Sequence, residues 1–189
     1  MILLDTNVIS ELMRAEPAQA VLDWFGQHDT ADLFISSVTE AELRAGVAYL
    51  PEGQRRDRLQ LAVDAMIDQD FQGRILSFDT VAARPYAEIA AQRRAVGRLI
   101  AEADCQIAAI ALAADALLAT RNVKDFDGCR RWIQVSSATV DLKAAISSAM
   151  ASAGVLQPSV FLGRLFINAA TPLSQVWLTP LRSVPLGMN

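Results

Sequence analysis

Histidine and cysteine are nearly missing from this chain of 189 residues, which has one His and two Cys. One histidine cannot form a multi-His metal site, and we expect His28 to be a surface residue rather than a catalytic base. Cys105 and Cys129 are too few for a disulfide framework and do not have zinc-ligand spacing. These shortages favour a reduced, cytoplasmic protein.

Excess positive charge is also missing, because the formal net charge is −4. This excludes a bulk polycation that binds nucleic acid through its net charge. Residues 1–141 hold all 21 acidic residues and 14 of the 17 basic ones, so the rest of the chain carries only three charges, all basic. An acidic domain of this kind needs metal ions or local arginines to bind a polyanion.

A convincing membrane segment is missing as well. The start of the chain lacks a basic region and Asp5 interrupts its apolar run, so we expect no signal peptide. Residues 144–163 are uncharged, but their serines, glutamine and Pro158 disfavour insertion into a bilayer. We therefore expect no membrane partner.

Short apolar runs alternate with segments of helical periodicity over the first 135 residues. The runs that predict strands are residues 1–4, 33–36, 74–78, 117–120 and 132–135. The segments that predict helices are residues 7–13, 17–27, 38 to about 46 or 49, 54–70, 80–96 and 100–114. This alternation is typical of an α/β fold in which helices cover both faces of a parallel sheet.

Local signals predict how two of these helices begin. Ser37 and Glu40 match a capping box, so we expect Ser37 to be the N-cap of the helix after the second strand. We expect Asp79 or Thr80 to cap the helix after the third strand, and we interpret Asp79 as a cap rather than a catalytic group. Residues 121–125, after the fourth strand, are predicted to form a polar loop.

The composition changes after about residue 137. Residues 144–189 contain two charges and four prolines and show no clear period. We predict one domain over residues 1–137 and a C-terminal extension over 138–189, partly helical or irregular, with a candidate helix at 139–153. The extension could be a flexible tail or a segment that docks on a partner.

Four carboxylates occupy related positions in this pattern. Asp5 follows the first strand, and Glu42 lies early in the helix after the second. Asp104 lies near the start of the helix before the fourth strand, and Asp125 follows that strand. The four can meet at one edge of a right-handed parallel sheet, where repulsion would raise their pKa values. Helix capping and the helix dipole are simpler explanations for Asp5 and Asp104.

A hard divalent cation would relieve this repulsion. Oxygen ligands without His or Cys suit Mg²⁺ or Mn²⁺. Such a cation can activate a water molecule and stabilise charge on a phosphoryl oxygen. The pattern therefore favours hydrolysis of phosphodiester bonds without a covalent nucleophile.

Four segments carry a resemblance to a known family: MILLDTNVIS at 1–10, TEAELR at 39–44, IAEAD at 100–104 and LATRNVKDF at 118–126. In this order and spacing they resemble a PIN domain, most of all the VapC-type ribonuclease toxins of toxin–antitoxin pairs. The resemblance implies a three-layer α/β/α fold with a five-stranded parallel sheet. It also implies Mg²⁺- or Mn²⁺-dependent endonucleolytic cleavage of RNA, commonly tRNA or ribosomal RNA, a homodimer, and a cognate antitoxin whose peptide occupies the active-site groove.

The resemblance also assigns roles to residues. Asp5, Glu42 and Asp104 match the family's metal-binding acids. The supporting polar residues are Thr6, Asn7, Thr120 and Asn122. In some members a fourth acid directly follows the Thr-Arg pair, but Asn122 stands here, so Asp125 is expected to complete the catalytic set unless Asn122 does so. The chain also lacks the family's frequent Asn-Pro-aromatic ending and continues to residue 189.

Two other classes of function stay open. A catalytically silent PIN domain that acts as a binding or scaffold module would be favoured by loss of a key acid, but Asp5, Glu42 and Asp104 are present. The other class is a phosphoryl-transfer protein. A dehalogenase-like phosphatase needs a second acid where this chain has Asn7. A receiver domain needs a Lys after its fifth strand, and here no Lys follows Val135 before Lys143. Basic residues that could contact RNA phosphate or an antitoxin are Arg44, Arg93, Arg94, Arg98, Arg121 and Lys124, with Arg121 and Lys124 the first choices.

Overall fold

The computed structural model describes residues 1–126 and 132–135. Its strands are β1 (Ile2–Leu4), β2 (Leu33–Ser36), β3 (Ile75–Leu76), β4 (Leu117–Thr120) and β5 (Trp132–Gln134). Its helices are α1 (Thr6–Leu12), α2 (Gln19–Phe25), α3 (Ser37–Ala48), α4 (Gln54–Ala65), α5 (Thr80–Ala95), α6 (Glu102–Ala113) and α7 (Val123–Phe126). The predicted extension from residue 138, with its candidate helix at 139–153, lies outside the described residues.

The strands form one sheet in the order β3-β2-β1-β4-β5, and every neighbouring pair is parallel. The chain adds β2 and β3 on one side of β1 and then crosses to add β4 on the other side. This reversal leaves a crevice at the carboxyl ends of β1 and β4, where open α/β sheets place their ligands. The predicted five-stranded parallel sheet is confirmed.

Two apolar cores cover the two faces of the sheet, because successive side chains of a strand point in opposite directions. Ile2 and Leu4 of β1 pack in a core with the apolar residues of α1 to α4. Leu3 lies in the opposite core with the apolar residues of α5 and α6. Burial on both faces explains why the strand sequence is continuously apolar. The architecture is the predicted three-layer α/β/α arrangement.

The predicted cap of α3 is wrong by one residue. The last residue of β2, Ser36, is the N-cap, and its side chain accepts a hydrogen bond from Thr39 N at 2.9 Å. Ser37 is already helical, and its hydroxyl accepts from Phe78 N at 3.3 Å instead. The capping box fails because the extended backbone ends at Ser36, so that α3 begins directly after the strand.

Three further local predictions can be compared with the structure. Asp79 caps α5 as expected, since its carboxylate accepts from Val81 N and Ala82 N.

The polar loop predicted at 121–125 is wrong, because α7 begins within it and carries Phe126 into the core beside α6. The helix predicted over 54–70 is α-helical only to Ala65 and continues as a π-helical turn, Met66–Asp70.

No membrane span is found in the described part of the chain, where every helix is too short or too polar for one.

Candidate active site

Asp5 lies at the carboxyl end of the central strand and is almost completely buried, with 2% of its surface exposed. Its backbone N–H donates to Ala119 O at 2.9 Å, which extends the pairing of β1 with β4. Its side chain caps α1 by accepting from Thr6 N at 2.7 Å. Asp5 therefore caps α1 and also lies in the crevice, so helix capping does not exclude a role in the site.

Two more polar side chains hold the second oxygen of Asp5. Thr120 Oγ1, at the end of β4, donates to Asp5 Oδ2 at 2.6 Å. Asn7 Nδ2 donates to the same oxygen at 2.5 Å. Because both donors are neutral, they orient the carboxylate without neutralising its charge.

Burial raises the pKa of Asp5 above its ordinary value. The hydrogen bonds from Thr120, Thr6 and Asn7 oppose this effect by stabilising the charged form, whereas the negative charge of Glu42 adds to it. The net result is a raised pKa. A cation placed beside Asp5 would lower it again.

Glu42 reaches the crevice from α3. It is exposed, and its Oε2 accepts from Thr6 Oγ1 at 2.5 Å. Since α3 follows β2 without a loop, Glu42 lies in the second turn above the edge of the sheet where Asp5 lies. Thr6 therefore links the first two predicted acids, donating its backbone N–H to one and its hydroxyl to the other.

Asp104 is half-buried in the first turn of α6. Burial, followed by the negative charges of Asp5, Asp125 and Glu42, raises its pKa from 3.8 to about 6. The fold thus brings three other carboxylates close enough to Asp104 to disfavour its ionisation. This is the repulsion that the sequence pattern predicts at one sheet edge.

Asp125 lies in α7 and is held by Asn122, three residues earlier in the chain. Asn122 Nδ2 donates to Asp125 Oδ2, and Asn122 N donates to Thr120 Oγ1 at 2.9 Å. The charge of Asp125 reaches Asp104, as the raised pKa of Asp104 shows. In this arrangement Asn122 orients the acid three residues later, and Asp125 supplies the fourth negative charge.

The donor set fits a hard cation that retains much of its water. Within residues 1–126 and 132–135, no three His, Cys, Asp or Glu side chains are close enough to form a complete ligand cluster. Mg²⁺ usually keeps several waters and uses only one or two protein carboxylates directly. The chemistry of these oxygen donors, together with the raised pKa of Asp104, therefore suits a divalent cation bound partly through water.

The basic residues predicted to contact RNA or an antitoxin differ in how much they are engaged. Arg44 donates to Glu40 at 2.8 Å and to Asp64 at 2.5 Å, so its charge is satisfied on the helical surface. Arg93 and Arg98 donate to Lys124 O at 3.4 and 3.5 Å, which ties α5 and the segment after it to α7. The side chains of Lys124 and Arg94 are exposed.

Arg121 makes an ion pair with Glu11, a residue that the sequence interpretation missed. Glu11 lies in α1 and is 5% exposed. The sequence could have predicted that Glu11 is buried. Position 11 falls three residues after Val8, on the apolar stripe that also includes Ile9 and Leu12. An acid on a buried stripe requires a partner.

Comparison with known proteins identifies the family. A PIN-domain model matches residues 2–128. The chain is 44% identical over 127 residues to VapC ribonuclease Y4jK of Sinorhizobium fredii, covering 67% of this chain and 91% of the relative. It is 42% identical over 126 residues to toxin FitB of Neisseria gonorrhoeae, with the same coverage of 67% and 91%.

A solved structure supports the same assignment. The crystal structure of FitAcB from Neisseria gonorrhoeae has a TM-score of 0.66 and 39% sequence identity, covering 72% of this chain and 97% of the other. The fold, the motif positions and these relatives agree: the chain belongs to the PIN-domain family.

Proposed function

We propose that this protein is a Mg²⁺- or Mn²⁺-dependent endoribonuclease that acts as the toxin of a toxin–antitoxin pair. The observation that carries the proposal is the convergence of Asp5, Glu42, Asp104 and Asp125 on the switch-point crevice of the sheet, expressed in the raised pKa of Asp104. A site that gathers this much negative charge is poorly suited to a bare polyanion and well suited to a cation that brings phosphate to it.

Asp5, Asp104 and Glu42 would hold the cation partly through bound water, with Asp125 completing the negative set. When bound, the cation supplies activation of water and stabilisation of negative charge on a phosphoryl oxygen. Thr120 and Asn7 keep Asp5 Oδ2 in one orientation, and Thr6 does the same for Glu42 Oε2. The chain thus supplies a pre-oriented carboxylate frame, which lowers the cost of assembling the reactive arrangement.

RNA is the proposed substrate, in the class of tRNA or ribosomal RNA. The name of Y4jK, a VapC ribonuclease, supports this assignment for a chain 44% identical to it. The exposed Lys124 beside Asp125 provides a cation for a phosphate near the site.

A cognate antitoxin is the proposed protein partner. FitB carries the name of a toxin, and solved relatives include the FitAcB complex and VapBC-1 from Haemophilus influenzae, 28% identical to this chain. A homodimer, or a hetero-oligomer with the antitoxin, is the proposed assembly.

The test is cleavage of an RNA pool by the purified full chain, with Mg²⁺, with Mn²⁺ and with EDTA. We expect cleavage only with a divalent cation, and a loss of about a hundredfold or more in Asp5→Asn and Asp104→Asn. Asp79→Asn is the matched control, because it changes an acid that only caps α5 and Asn is an equally good cap. Equal cleavage by wild type and Asp5→Asn, or cleavage in EDTA, would contradict the proposal.

A further inference from the structure

We infer that the Glu11–Arg121 ion pair holds the acid cluster in position, and that Arg121 is not a phosphate contact. The acid cluster is the set of carboxylates Asp5, Glu42, Asp104 and Asp125. The inference rests on the proposed nuclease function and deepens it. It replaces the interpretation, drawn from sequence alone, in which Arg121 was a first choice for binding RNA.

Glu11 is a fully engaged carboxylate in a buried position, with 4% of its side chain exposed. Its Oε1 accepts from Ala18 N at 2.9 Å, in the segment that leads into α2. Its Oε2 accepts from Arg14 at 3.2 Å and from Arg121. One carboxylate therefore joins the end of α1, the start of α2 and the segment after β4.

Electrostatics agree with this geometry. Burial alone would raise the pKa of Glu11, but the hydrogen bonds from Ala18 N and Arg14 and the charge of Arg121 outweigh burial and lower it. The carboxylate is thus held ionised, with Arg121 as its partner from a distant part of the chain. Moving Arg121 to an RNA phosphate would leave a buried negative charge with less compensation, which is costly.

The backbone N–H of Arg121 connects the ion pair to the acid cluster through the side chain of Asn7. Arg121 N donates to Asn7 Oδ1 at 2.8 Å. With its oxygen committed, the amide of Asn7 must present Nδ2 to Asp5 Oδ2 at 2.5 Å and to Thr120 Oγ1 at 3.1 Å. A flipped amide would place an oxygen against the Asp5 carboxylate, so the Arg121 N–H selects the productive orientation.

Kinetics of five variants test the inference: Glu11→Gln, Arg121→Gln, the double variant, Arg121→Lys, and Arg14→Gln as control. Arg14 bonds to the same carboxylate but is 66% exposed and does not contact the acid cluster. We expect kcat for RNA to fall about tenfold to a hundredfold in both single variants, with KM changed less than about twofold, because small misplacements of reacting groups have effects of this size.

Two comparisons separate positioning from phosphate binding. If Glu11 and Arg121 act as a unit, the double variant is no slower than the slower single variant. Arg121→Lys, which keeps the charge, should recover part of kcat. A raised KM and a weaker salt dependence in Arg121→Gln, with Glu11→Gln close to wild type, would overturn the inference.

Hydrogen exchange of the metal-free protein gives a readout that is independent of cleavage. In Glu11→Gln and Arg121→Gln, we expect the Arg121 amide to exchange at least about tenfold faster and the side-chain amide signals of Asn7 to shift, while α6 amides keep their wild-type rates. Equal acceleration throughout α6 would mean general destabilisation and overturn the inference. Wild type without nuclease activity would reject the proposed function, whereas these amide measurements would still decide the positioning role.

Discussion

At the scale of single residues, the site is a balance between repulsion and orientation. Burial, followed by the negative charges of Asp5, Asp125 and Glu42, raises the pKa of Asp104 to about 6. Neutral donors such as Thr120 keep the carboxylates oriented without removing their charge. The metal-free protein therefore holds electrostatic strain at the place where a cation is proposed to bind.

Asp104 should make the metal-free protein less stable at neutral pH than at mildly acidic pH. Its folded pKa, about 6, lies above its ordinary value of 3.8, so the folded state binds the proton more tightly. The destabilisation is full above pH 6 and fades as pH falls towards 4. Allowing for solvent screening of this half-exposed group, we expect about 1 kcal/mol.

Urea unfolding in EDTA at pH 5 and pH 7.5 measures this effect. Asp104→Asn should raise the free energy of unfolding at pH 7.5 by about 1 kcal/mol and flatten the pH dependence. Saturating Mg²⁺ should stabilise wild type more at pH 7.5 than at pH 5, because protons compete for the carboxylate. A pH dependence unchanged by the substitution would assign the effect to another group.

Thr120→Val should alter both stability and the acid cluster. Thr120 is fully buried, and its hydroxyl donates to Asp5 and accepts from Asn122 N. We expect a loss of about 1.5–3 kcal/mol, as is typical for a hydrogen bond to a charged group, and a further rise in the pKa of Asp5, measured by carboxyl NMR titration.

Thr39→Val is the matched control for that experiment. Thr39 is also fully buried and its hydroxyl is hydrogen-bonded to Ser36 Oγ at 2.9 Å, outside the acid cluster. It should lower stability without shifting the titration of Asp5. A shift of similar size in both variants would show that Thr120 acts through general packing.

At the scale of elements, direct strand-to-helix junctions position the acids. Asp5 separates β1 from α1 by one residue, and α3 starts immediately after Ser36. Such short junctions leave few backbone degrees of freedom, so Glu42 is placed by the register of β2 and the start of α3 together. The cap of α3 is therefore expected to affect catalysis as well as stability.

Ser36→Ala and Ser37→Ala form a matched pair at this junction. Loss of the N-cap in Ser36→Ala should cost about 1–2 kcal/mol of unfolding free energy, whereas Ser37→Ala should cost less than about 0.5 kcal/mol, as is usual for substitutions away from such features. Chemical denaturation of both variants measures the difference. A larger loss in Ser37→Ala would favour the capping box that the sequence suggested.

At the scale of the whole molecule, the acidic charge restricts how RNA can bind. The net charge is −4, and several arginines are engaged internally, including Arg44 with Glu40 and Asp64 and Arg121 with Glu11. These ion pairs make Arg44 and Arg121 less available for phosphates. We expect a shallower dependence of RNA affinity on salt than basic nucleic-acid-binding domains show.

Lys124→Ala tests which cation contributes to that dependence. The slope of log affinity against log salt concentration should decrease by about one unit, the amount expected for one lost phosphate contact. Arg55→Ala, which removes an exposed cation near the start of α4, is the control and should leave the slope unchanged. Binding is measured with the inactive Asp5→Asn protein. A smaller slope in Arg55→Ala alone would indicate that the RNA contacts α4 instead.

Much of the fold follows from local patterns. Continuous apolar runs identify the five strands, and apolar stripes identify the main helices, because burial of each element depends on residues within a few positions. Asp79 capping α5 is predictable for the same reason. The choice between Ser36 and Ser37 is not, because it depends on where pairing with the neighbouring strands ends.

The sequence by itself determined the alternation of strands and helices and the presence of acids at the ends of strands, since both are properties of near neighbours in the chain. Only the tertiary structure decided which charges meet. Glu11 and Arg121 are 110 residues apart, and they pair because β4 lies beside β1 in the sheet. Arg121 thereby changes from a candidate RNA contact to the partner of a buried carboxylate, because a strand order that no local pattern encodes brings Glu11 within its reach.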